Sequence, residues 1–149
     1  RYVSVTGVQT CALPICSACV AAGRVVRFFT TAELALALSR ASRDHSLEQL
    51  MKEIAKCDLL ILDEFGYVPI DVESSRLLFQ VVADCYEKRS VIFTTNIEFG
   101  KWGTVLGDDK LAVALIDRVV HHGRLVEFGG ASRRMEEALM LGKGGADAA

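Results

Sequence analysis

The chain has 149 residues, a size that fits one domain able to bury a core of its own. Its residues are 51% hydrophobic with mean hydropathy +0.29, yet no apolar run approaches the roughly 20 residues of a membrane span. A formal charge of −2 gives no general argument for nucleic acid and does not exclude one basic face. Five cysteines without a secretory leader point to reduced thiols in a cytoplasmic protein.

In chain order, Val5 to Ile15 reads VTGVQTCALPI, which resembles the in-frame translation of a common sequencing-library adapter. Residues 1–15 are therefore expected to be adapter-derived, although Val3 to Thr6 can imitate a strand by chance. Gly7, Gln9, Thr10 and Pro14 interrupt a helical period, and Pro14 disfavours helix at Leu13. Cys16 and Cys19 form a lone CxxC at this junction; with no second ligand pair, a structural or accidental pair is favoured over zinc.

Cys16 to Ala22 reads as the end of a helix closed by Gly23, and Val25 to Phe29 as a buried strand. Thr31 is expected to cap a helix from Ala32 to about Ser42 with Leu34, Leu38 and Ala41 inward. Ser46 and Gln49 have capping-box spacing for a helix to about Lys56. Leu59 to Asp63 is a second strand, and Asp71 caps a helix to about Lys88 with Leu77, Leu78, Val81, Val82 and Cys85 buried. Ser90 to Thr95 is a third strand; Asp108 caps a helix from Asp109 to His122 whose inward residues are Leu111, Leu115, Ile116, Val119 and Val120. Leu125 to Phe128 is a fourth strand, Ser132 to about Leu141 a closing helix, and residues 142–149 a disordered tail. The alternation makes the class α/β with a mainly parallel sheet.

Leu59-Leu-Ile-Leu-Asp63-Glu64 carries the chemistry, because strand carboxyl ends line the ligand crevice of such a sheet. There Asp63 suits Mg²⁺ through water and Glu64 suits polarising an attacking water; the plainer alternative is a strand ending in a polar turn. Ser90-Val-Ile-Phe-Thr-Thr-Asn96 ends the next strand in an Asn able to orient water beside a γ-phosphate, or simply to form a turn. The helix between the two strands makes them neighbours, so Asp63, Glu64 and Asn96 can converge. His121 and His122 are adjacent on a helix, point about 100° apart and suit its carboxyl end better than a metal. Arg40, Arg43, Lys52 and Lys56 read as solvated faces.

FFTTAEL, LLILDEFGYVPID, LLFQVV, VIFTTNIEFGKWGTVLGDDKLAVALIDRVVHHG and GASRR together resemble the IstB family over residues 16–141. These are ATP-binding helpers of insertion-sequence transposases, related to the DnaC helicase loaders; Trp102 and Gly107-Asp108 favour IstB over DnaC. The resemblance implies a three-layer P-loop NTPase core (AAA+/RecA-like), with Asp63 and Glu64 as Walker B and Asn96 as sensor 1. It also implies that Arg118 reaches a neighbouring subunit's nucleotide as a finger and that Arg134 is sensor-2-like. Arg133 stands where the family usually has Tyr, so either arginine fits that last role. The implied cofactors are ATP and Mg²⁺; the implied partners are double-stranded DNA, a cognate transposase and further copies of the chain, in the bacterial cytoplasm.

The family's GxxxxGK[ST] phosphate loop occurs nowhere in the sequence; Gly142-Lys143 is followed by Gly144. Adapter-like residues occupy its place, so the first strand and loop are expected to be missing or replaced. The parent is then an ATPase helper of a transposase and this chain an inactive form of it. The alternatives are a DnaC-like helicase loader and a nucleotide-independent interaction module.

Overall fold

The computed structural model describes residues 2–6 and 12–127. In chain order the elements are β1 (Tyr2–Thr6), α1 (Ala12–Ala21), β2 (Val26–Thr30), α2 (Thr31–Arg43), α3 (Leu47–Ile54), β3 (Leu59–Phe65) and α4 (Val72–Cys85). Then come β4 (Ser90–Thr95), a 3₁₀ turn (Phe99–Lys101), α5 (Trp102–Leu106), α6 (Asp109–His121) and β5 (Arg124–Glu127). The strands form one sheet in the order β2-β3-β4-β1-β5, and every neighbouring pair is parallel. The first-strand position is thus filled by Tyr2–Thr6, between β4 and β5. The expected closing helix and tail, with Phe128, lie outside the described residues. No helix among the described residues is long and apolar enough to cross a membrane.

Side-chain alternation splits β3 and β4 between two layers. Leu60, Leu62, Val91 and Phe93 face the main core under α2, α4, α5 and α6, while Leu59, Ile61 and Ile92 face α1, through Ile15, Cys16 and Cys19. Burial on both faces accounts for the unbroken apolar run of β3. β2 departs from the expected buried strand: it is the sheet edge, its middle residues are exposed, and Phe28 is 41% accessible. Burial also pushes the Cys57 and Cys85 thiols upward, as core groups rather than reactive ones.

Local signals explain the helix ends, with corrections. Helix α1 starts at Ala12, so Pro14 does not exclude helix at Leu13: in the first turn its missing N–H has no intrahelical carbonyl to meet. Gly23 ends α1 at φ +73°, with Gly23 N–H donating to Val20 and Arg24 N–H to Cys19, the paired bonds of a Schellman cap. The cap of α2 is Thr30, not Thr31; Thr30 Oγ1 accepts from Glu33 N–H at 3.2 Å, and Glu33 Oε2 accepts from Thr30 N–H at 3.1 Å. Thr31 is buried instead and donates to the Asp63 carbonyl at 2.9 Å.

Ser46 sits at the start of α3 but makes no side-chain cap bond, so the spacing with Gln49 produces no capping box. Asp71 and Asp108 cap α4 and α6 through Ser74 N–H and Leu111 N–H. The Asp71 carboxyl is held below its usual range by hydrogen bonds from Ser74. On α6 the buried residues are Ala112, Leu115 and Val119; Val120 faces outward, because a three-residue step from Ala112 to Leu115 and a four-residue step to Val119 define the buried stripe.

The end of β3 is irregular. Leu62 pairs with Phe93 and Phe65 with Thr95, so three steps along β3 match two along β4. The extra residue is a β-bulge, with Glu64 at φ +57° and Gly66 at φ +94°. Regular alternation would send Glu64 into the core with Leu60 and Leu62. The bulge places Phe65 there, fully buried, and leaves Glu64 part-exposed.

Two stability predictions follow from these ends and turns. Thr30→Ala is expected to cost about 1 kcal/mol in urea unfolding, whereas Ser46→Ala is expected to stay within about 0.5 kcal/mol; equal losses would remove the capping assignment. Glu64→Gly is expected to raise stability by about 0.5–1 kcal/mol, since relief of left-handed strain outweighs the added chain entropy. A loss in the same measurement would show that the Glu64 side chain, not its backbone, governs the turn.

Candidate active site at the strand carboxyl ends

Four fully or nearly buried apolar residues, Leu59 to Leu62, hold β3 in the centre of the molecule and deliver Asp63 at its end. Asp63 is 6% exposed, and both its carbonyl and its carboxylate are engaged. The carbonyl accepts from Thr31 Oγ1; carboxylate Oδ1 accepts from Thr94 Oγ1 on β4. The same Thr94 hydroxyl accepts from Glu64 N–H at 3.0 Å. Asp63 and Thr94 share the sheet face of Leu59, Ile61 and Ile92, as the alternation requires.

Thr95 closes the other half of the turn. Its hydroxyl donates to the Phe65 carbonyl at 2.7 Å and accepts from Ile97 N–H at 3.2 Å. Gly66 lies against Ile97 so closely that a Cβ there would overlap the Ile97 side chain, so its positive φ and its lack of a side chain are both required. Beneath this turn, Trp102 packs against Phe65 and Phe93 at centroid distances of 4.1 and 6.0 Å, with Phe99 at 5.0 Å. The turn after Asp63 and the end of β4 therefore rest on one aromatic cluster.

Asn96 follows β4 directly and is exposed. It lines a cleft of about 310 Å³ with Ile97, Phe99, Leu125 and Glu127. A larger cleft, about 1180 Å³, lies at the opposite end of the sheet, where β3 and β4 begin at Leu59 and Ser90. Strand carboxyl ends are where this architecture binds ligands, and the smaller cleft is the one at that end, lined by Asn96 though not by Asp63 or Glu64.

Asp63, Glu64 and Asn96 thus stand at the same ends of the adjacent strands β3 and β4, whereas Arg118 is placed differently. It sits in the last turns of α6, with Nη1 donating to the Ala114 carbonyl at 2.9 Å and its guanidinium 4.6 Å from the Phe79 ring centroid. Because α6 runs back toward the start of β5, its final turns approach the amino end of the sheet. His121 and His122 continue that seam, meeting Tyr86 Oη at 2.7 Å and Glu87 Oε1 at 3.1 Å. Arg133, Arg134 and the segment 7–11 lie outside the described residues.

The donor set fits a hard divalent cation in part: one Asp63 oxygen is held by Thr94, and the acceptors here are all oxygen. Among the described residues no cluster of three or more His, Cys, Asp or Glu side chains is arranged to hold a metal alone. Thr31 and Thr94 were not separable from their neighbours in the sequence. Thr-Thr recurs in FFTTAEL and IFTTN, and only the strand register shows which hydroxyl reaches Asp63.

Comparison with known proteins bears on the family and the fold. A family model described as "IstB-like ATP binding protein" matches residues 4–140. The chain is 48% identical over 100 residues to the insertion sequence IS232 ATP-binding protein of Bacillus thuringiensis subsp. berliner, covering 67% of this chain and 40% of that protein. It is 39% identical over 118 residues to the insertion sequence IS5376 ATP-binding protein of Geobacillus stearothermophilus, covering 79% and 47%. The chain thus spans less than half the length of these relatives. Its fold is similar to the crystal structure of the DnaC helicase loader, with TM-score 0.67 at 14% identity, covering 87% of this chain and 78% of that one. The architecture is a parallel-sheet α/β core of the same fold as the DnaC helicase loader, and the chain belongs to the IstB-like ATP-binding protein family.

Proposed function

We propose that the parent of this chain is a cytoplasmic, Mg²⁺-dependent ATPase that assists a DNA transposase, acting on double-stranded DNA as a homo-oligomer. The observation that carries the reading is the Walker B turn, where Asp63 is buried and pinned while Glu64 is lifted out of the core beside the end of β4. The insertion-sequence relatives support transposition over helicase loading as the setting.

In this reading Asp63 holds Mg²⁺ through water, and Asn96 orients the attacking water. Glu64 draws that water's proton as its oxygen bonds the γ-phosphorus and the β–γ bridging bond breaks, leaving ADP and phosphate. Arg118 serves a neighbouring protomer: its place toward the amino end of the sheet suits action in trans on a site at the next copy's strand ends. Arg134, or Arg133 beside it, contributes a second cation to the bound nucleotide.

Residues 1–15 are, on this proposal, adapter-derived and stand where the native first strand and phosphate loop belong. The loop's backbone N–H groups and Lys supply most of the grip on the phosphates. Isothermal titration of the 149-residue chain is therefore expected to show no useful ATP binding, and a form with the native loop restored should bind in the micromolar range with Mg²⁺. Micromolar, Mg²⁺-dependent binding by the chain as it stands would overturn this part.

In the loop-restored form, Glu64→Gln is expected to lower ATP turnover by about 100-fold or more and to trap an ATP-bound oligomer visible by light scattering. Undiminished turnover in that variant would remove Glu64 from the mechanism.

A further inference from the structure

We propose that Thr94 is a positioning residue of the ATPase site, holding Asp63 and Glu64 in register through its single hydroxyl. The inference rests on the reading of Glu64 as the group that polarises water. Thr94 is 5% exposed, and its hydroxyl oxygen is shared between two neighbours on the opposing strand. Asp63 as a carboxylate can only accept, so the hydroxyl proton goes to Asp63 Oδ1 and a hydroxyl lone pair receives Glu64 N–H. One side chain thereby holds the Asp63 carboxylate and the Glu64 amide, while the carbonyl of the same peptide is held by Thr31.

The consequence at each acid is distinct. Holding Oδ1 fixes the orientation of the Asp63 carboxylate at the end of β3. Fixing Glu64 N–H keeps that residue in its left-handed conformation at φ +57°, which a non-glycine residue maintains only where the surroundings over-determine it. The neighbouring Thr95 cannot take over, because its hydroxyl serves Phe65 and Ile97. The β-branched side chain is itself restricted at χ1, so the hydroxyl is held ready rather than recruited.

Thr94→Val keeps the shape and removes both hydrogen bonds; Thr94→Ser keeps the hydroxyl. In the 149-residue chain, Glu64 amide hydrogen exchange followed by NMR should quicken by about tenfold or more in Thr94→Val and by less than about threefold in Thr94→Ser, with Leu62 as the internal reference. In the loop-restored form, Thr94→Val should lower kcat by about tenfold or more with KM for ATP within about twofold, and Thr94→Ser should restore most of it. Equal Glu64 exchange in wild type and Thr94→Val would overturn the proposal, as would a wild-type kcat in Thr94→Val when Glu64→Gln is inactive. If Glu64→Gln itself turns over normally, the reading of Glu64 fails instead, and the exchange experiment still decides what Thr94 holds.

Discussion

Strand β3 carries one residue more than strand β4 can pair between Leu62 and Phe65, and the placement of Asp63, Glu64 and Phe65 depends on how that surplus is absorbed. In a regular ladder Glu64 would fall on the face of Leu60 and Leu62, a carboxylate driven into the main core. Burial without a partner would cost several kcal/mol or neutralise the group. The bulge exchanges the two neighbours: Phe65 takes the core position and Glu64 moves to the rim. Chemistry and packing are therefore solved by the same backbone distortion, and neither can be altered alone.

The distortion needs support on both sides. On the two faces of β4, Thr94 and Thr95 divide the turn, one serving Asp63 and Glu64, the other serving Phe65 and Ile97. From below, Phe65 lands on Trp102, which also meets Phe93 and Phe99. Trp102 is fully buried and its indole N–H has no hydrogen-bond partner among the described residues, an omission that costs about 1–3 kcal/mol. Its aromatic contacts offset that cost in the one place where a large, rigid side chain spans the ends of β3 and β4 at once. Trp102 is not a reacting group; it is the floor on which the two strand ends are levelled.

The parts of this arrangement that the sequence made legible are those written in residue type and spacing. Four apolar residues followed by Asp63-Glu64, the strand ending at Asn96, and the aspartate caps at Asp71 and Asp108 all carry local signals that survive folding. What stayed hidden depends on register or on sheet position. Val25 to Phe29 is apolar except for Arg27, and the strand order makes it an edge. Thr30 and Thr31 are chemically alike, so which one caps α2 was settled by which one reaches Asp63 across the sheet. The bulge left no mark in the sequence, because Glu64 is not the glycine that a left-handed residue usually calls for. On the proposed function the local rule is broken where a carboxylate is needed, which is where such breaks are expected.

The same division between backbone and side chain bears on the amino terminus. Tyr2–Thr6 completes the sheet by pairing with β4 and β5 through N–H and C=O groups that every extended segment carries. A parallel ladder between two existing strands thus selects weakly for sequence, and occupancy of that slot is compatible with a foreign origin for residues 1–15. A phosphate loop is different in kind. It needs glycines where the backbone turns toward the ligand, a lysine of fixed reach and a hydroxyl on the metal, and none of these follows from being extended. The fold can therefore be closed by a segment that restores none of the chemistry. On the proposed function, Asp63, Glu64 and Asn96 are held in place by β3, β4 and their aromatic floor while the grip on the nucleotide is lost, because the two halves of that site come from separate parts of the chain.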